Sequence, residues 1–185
     1  MNFGVLQMKK ILLLFVLLWQ GFSLSAQEVL PDTLQFTFKL HGQTRRFKVS
    51  FTENENTLRM DWTILRNLKW WVGSYTMSRA SLQGATELCF LMPEDGNHVT
   101  VPAHQICYIL PADVYRALKE KGEFVFNRTR YALSDSKETA FGVPLLHVKD
   151  QIETGEMWIL DNPHFPLICR MANNPLEINW QVERL

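Results

Sequence analysis

Cysteine is scarce in this chain: three residues in 185. That is too few for a disulfide scaffold, and a chain of this length buries enough surface to fold without staples. Charge of one sign is missing too. Nineteen bases face nineteen acids, which excludes a strongly basic nucleic-acid-binding chain and an acidic disordered tail. Nine glycines and eight prolines leave no room for collagen-like or low-complexity structure. No apolar run approaches the roughly 20 residues a membrane-spanning helix needs. The signature motifs of phosphate loops, nucleophile elbows, zinc proteases and redox Cys-x-x-Cys pairs are absent from the sequence.

The first 26 residues have the three parts of a signal peptide. Lys9 and Lys10 precede the apolar stretch Ile11 to Trp19, and Gly21, Ser23, Ser25 and Ala26 supply small residues for cleavage. Cleavage after Ala26 is expected. Cleavage after Ser25, which puts Ser23 rather than Leu24 at the minus-three position, is the competing choice, and Met8 is an alternative start. A lipid anchor requires a cysteine at the cleavage point, whereas the first here is Cys89. The expected product is a single domain over residues 27–185, periplasmic or secreted. It carries 17 bases and 19 acids once Lys9 and Lys10 are gone.

What fills that domain is period two. Leu34, Phe36, Phe38 and Leu40 alternate with polar residues, His41-Gly42-Gln43 turns, and Phe47, Val49 and Phe51 alternate in reply. Leu58, Met60, Trp62 and Ile64 form a third such run, Lys69 to Tyr75 a fourth. Leu88–Met92, Val99–Val101, Ile106–Leu110, Phe124–Tyr131, Leu145–Lys149, Met157–Leu160 and Leu167–Met171 read as further strands, and Leu176, Ile178, Trp180 and Val182 share one face of the last. Ser78 to Ala85 reads as a short capped helix. Ala112 to Lys121, opened by Pro111 and stopped by Gly122, reads as the firmer one. The expected fold is therefore mainly β (α+β): a single curved antiparallel sheet or half-barrel of about ten strands with one or two short helices.

Few residues suggest chemistry. The five histidines fall at no metal-ligand spacing, so no metal and no cofactor is expected. Cys169 continues an apolar strand and reads as core, and His147 lies between Leu146 and Val148 with no partner evident along the chain. Cys89 and Cys107 both sit in apolar runs. They are readable as a disulfide pair or as buried free thiols, and the apolar context favours the second. Trp70-Trp71 is different. Adjacent strand residues point to opposite faces, so both indoles cannot enter one core, and a large exposed aromatic marks a surface with a use. Trp70 and Trp71, with Trp158 further along, are the candidate ligand or partner surface.

The stretch from Phe141 to Leu185, with its Leu146-His147-Val148 strand, Gly155-Glu156-Met157-Trp158-Ile159 strand and Pro166-Leu167-Ile168 entry into a final alternating strand, resembles a group of uncharacterised secreted proteins of Gram-negative bacteria. More distantly it is similar to periplasmic half-barrels of the lipoprotein-carrier type. The resemblance implies a bent antiparallel sheet over an apolar concavity with a helix as lid or plug, and it carries over no catalytic residue. The expected function is a non-enzymatic binding or carrier protein for an apolar or amphipathic, lipid-like ligand. The alternative is an envelope interaction or assembly factor working on another protein.

Overall fold

The computed structural model describes residues 32–135 and 137–185. The expected signal peptide lies outside them. Fourteen strands and two short helices are seen among the described residues, so the mainly β expectation holds. Four long strands open the chain: β1 (Leu34–Leu40), β2 (Gln43–Asn54), β3 (Thr57–Arg66) and β4 (Lys69–Ser78). They pair antiparallel in sequence order, as alternation with one buried face dictates. Then come α1 (Arg79–Gly84), β5 (Glu87–Leu88), β6 (Asn97–Thr100), β7 (Gln105–Ile106) and α2 (Ala112–Lys121). A second meander follows in β8 (Glu123–Phe126), β9 (Thr129–Ser134), β10 (Thr139–Ala140), β11 (Val143–Asp150), β12 (Glu156–Leu160), β13 (Ile168–Ala172) and β14 (Ile178–Arg184).

The two meanders join through the pairing of β1 with β14, where Phe36 meets Val182 and Phe38 meets Trp180. The result is one large curved, unclosed sheet in the order β6-β4-β3-β2-β1-β14-β13-β12-β11-β9-β8, with β10 beside β11. It is not wholly antiparallel, because β6 returns parallel to β4. A separate two-stranded sheet, β5 with β7, is also parallel.

Turn chemistry explains where the strand count exceeds the expected ten. His41-Gly42, Asn67-Leu68, Asn127-Arg128 and Phe141-Gly142 all have positive φ at both positions. Two-residue turns of this hand match the right-handed twist of the strands they join. Asn127-Arg128 thus splits the expected strand Phe124–Tyr131 into β8 and β9. The final strand starts at Ile178, since Glu177 also has positive φ, and Leu176, expected in the core, is exposed.

Helix α1 begins where Ser78 accepts a hydrogen bond from the Ser81 amide through its hydroxyl. Helix α2 ends on Gly122 in the left-handed conformation and packs Tyr115 and Leu118 inward. No helix among the described residues is long and apolar enough to cross a membrane.

Candidate functional site

The inner face of the sheet is the first place to look for a ligand. Phe36, Phe38, Phe47, Trp62 and Trp180 line it and are almost fully buried. Instead of forming a strand of the large sheet, the segment after β7 threads across them. Tyr108, itself at positive φ, puts its ring 5.3 Å from Phe36, 5.6 Å from Phe38 and 5.3 Å from Trp180. Its hydroxyl accepts a hydrogen bond from the Leu91 amide at 2.7 Å. The Ile168 amide donates to the Tyr108 carbonyl, and the Leu110 amide to the Pro166 carbonyl. The chain's own aromatic residues therefore fill this concavity, and burial raises the Tyr108 phenol well above its ordinary value.

Trp158 lies in a different environment from the tandem tryptophans. The β11–β12 and β12–β13 registers place His147 and Arg170 on either side of it. The imidazole stacks on the indole at 4.2 Å and 9°, and the Arg170 guanidinium carbon lies 3.5 Å from the ring centre. Glu138 accepts from both Trp158 Nε1 at 2.9 Å and Arg170 Nη2 at 3.0 Å. His147 Nε2 is 2.6 Å from Glu156 Oε2, and Glu156 Oε1 also accepts from Asn173. His147 thus has the partner that the sequence did not reveal. At 7% exposure, Trp158 is a cross-strand staple with its polar edge bonded internally.

Just beyond this staple, Cys169 is the extra residue of a bulge, where β12 and β13 shift register. Burial pushes its thiol up to about 12, so it stays protonated. A cavity of about 650 Å³ opens here, with Phe141, Arg170, Gln181 and Arg184 among its walls. Among the described residues no three His, Cys, Asp or Glu side chains gather as a metal-ion site.

Trp70 and Trp71 lie six strand positions from Trp158 in the sheet order, at the free end of the β3–β4 hairpin. Trp70 pairs with Leu65 and Trp71 with Ile64, so the two indoles do fall on opposite faces. Trp71 is partly covered by the core, with the Arg66 guanidinium 4.6 Å over its ring. Trp70 is 51% exposed, under the Lys48 ammonium at 5.4 Å. Leu65 and Val72 are exposed beside it, and Leu68, at the turn, is 98% exposed.

The neighbouring wall of this surface is cationic. A concavity of about 540 Å³ is lined by Arg45, Arg46, Lys48 and Arg66 together with Leu65 and Trp70. None of these four cations has an ion-pair partner among the described residues, whereas Lys69 is paired with Asp95 at 2.6 Å. Lys69, then the Val72 amide, hold the Asp95 carboxyl below its usual range.

The sequence signalled this place only through the tandem indoles. Leu68 and the cations were missed because nothing in their spacing shows that β2 and the β3–β4 turn share a surface. The feature that could have flagged them is an apolar residue inside the basic turn Arg66-Asn67-Leu68-Lys69. Comparison with models of known protein families, with curated proteins and with solved structures finds no match to this chain.

Proposed function

We propose that this chain is an exported, non-enzymatic binding protein whose working surface is the Trp70 end of the β3–β4 hairpin, and that its ligand is apolar or amphipathic. One observation carries the reading: four of the ten large apolar side chains exposed among the described residues, Leu65, Leu68, Trp70 and Val72, stand in water together at one end of the sheet, and Trp70 is the one aromatic ring among the ten. Large apolar groups clustered in solvent are costly unless something covers them. The site of binding in this reading is the outer surface, because Tyr108 and its neighbours occupy the inner one. An interaction with another envelope protein is the second reading, favoured by the open edge strand β8 with its exposed Val125.

A titration with a zwitterionic lysophospholipid, followed by tryptophan emission, tests the proposal. Transfer of Trp70 from water to an apolar contact should shift the emission to the blue, and Trp70→Phe should remove most of the change without lowering the melting temperature. An emission change that survives in Trp70→Phe, or none in the parent protein, would overturn the assignment.

A further inference from the structure

We infer that the occupant of this surface is a bilayer carrying anionic headgroups, with the β3–β4 turn as the inserting element. The inference rests on the binding reading above and names the partner for it.

Its first support is Leu68. Both central residues of the turn have positive φ, +50° at Asn67 and +61° at Leu68, a geometry that favours Asn-Gly. Leucine is disfavoured there on backbone grounds, and at 98% exposure it contributes no packing to the fold. An apolar side chain held at a strained apex, where glycine would serve the fold better, is placed to meet something outside the molecule.

The second support is what surrounds the apex. Trp70 and Trp71 follow within three residues on opposite faces of the hairpin, so an indole flanks the tip on each side. Lys48 and Arg66 lie over those indoles, and Arg45 and Arg46 stand in the adjoining concavity. An apolar tip followed by a band in which cations and amphipathic rings stand together, Arg66 beside the turn and Lys48 level with Val72, matches a bilayer's acyl chains and the interface where its phosphates lie.

Charge supplies the third support. The chain is neutral overall, yet the four cations here lack carboxylate partners among the described residues. An anionic layer complements them. An acidic protein would also satisfy the cations, but a rigid polar partner gives Leu68 no reason to protrude.

Co-sedimentation of the purified protein with vesicles tests this, using phosphatidylcholine alone and phosphatidylcholine mixed with phosphatidylglycerol. Binding is expected only to the mixed vesicles and should weaken as salt is raised. Leu68→Gly, which suits the turn, should keep the melting temperature or raise it while weakening vesicle binding about tenfold. Leu68→Asn, also suited to positive φ, should do the same. Lys48→Gln and Arg66→Gln should each cost about fivefold. Equal binding to both vesicle types, or undiminished binding by both Leu68 variants, overturns the inference. Absence of vesicle binding with a retained lysophospholipid response also overturns it but leaves the binding reading standing. Absence of both responses removes the two together.

Discussion

The three cysteines show how far environment separates identical side chains. Cys107 and Cys169 are buried, while Cys89 is partly exposed. Contact with Cys107 lowers the Cys89 thiol, whereas contact with Cys89 and burial raise the Cys107 thiol, and burial alone raises Cys169. Only the thiolate reacts at a useful rate. Iodoacetamide should therefore label Cys89 alone in the folded protein and all three cysteines after denaturation. Intact mass reads the count, and a native adduct at Cys107 or Cys169 contradicts this burial pattern. The core role of Cys107 and Cys169 was legible in the sequence, since Cys107 stands among Ile106, Tyr108 and Ile109, and Cys169 follows Leu167 and Ile168. Their depth was less so, because it depends on segments far away: Cys107 donates its amide hydrogen to the Met77 sulfur from the other side of the inner face.

At the scale of elements, hairpins decide what was readable. The first three strands announced themselves by alternation, and their register follows from short turns. Helix α2 was equally plain from Pro111 and Gly122. What stayed hidden were contacts between elements, and Gly73 is the clearest instance. It occupies the middle of β4 between Trp62 of β3 and Asn97 of β6. A methyl group on it would overlap the Trp62 ring and the Asn97 carbonyl. Nothing in Trp71-Val72-Gly73-Ser74 predicts a parallel strand that close, because β6 arrives from beyond α1 and a long connection. Gly73→Ala should cost about 1–3 kcal/mol by forcing β6 or the Trp62 indole aside. A shift of the denaturant midpoint measures this, and an unchanged midpoint would mean that β6 does not pack there. The Trp158 staple was hidden for the same reason. His147, Trp158 and Arg170 lie on three strands, and their stacking follows only from the β11–β13 register.

Across the whole molecule, all four tyrosines are held in their neutral form. Burial raises Tyr75, Tyr108 and Tyr115, the last helped by its hydrogen bond to the Asp161 carboxylate, and it holds Tyr131 at about 12. Each folded value lies above the unfolded one of about 10. Their contribution to stability is therefore fully present below about pH 10 and is lost as pH rises from there towards the folded values. Alkaline titration should show phenolate absorbance appearing together with loss of the folded circular-dichroism signal. Phenolate that forms well before unfolding would mean the rings are reached by solvent in the folded state.

The topology that buries them could not be read locally, because the join of β1 to β14 unites residues such as Gln35 and Glu183, 148 positions apart. That join has a kinetic meaning. As the chain emerges in order, β1 is made early and its second neighbour comes after every other described strand. Until then Phe36 and Phe38 border an unpaired strand edge, which is the kind of surface that recruits a stray strand from another molecule. Contacts this distant also make for slow folding. The waiting half-sheet is thus the state in which this protein most depends on a chaperone or on low concentration.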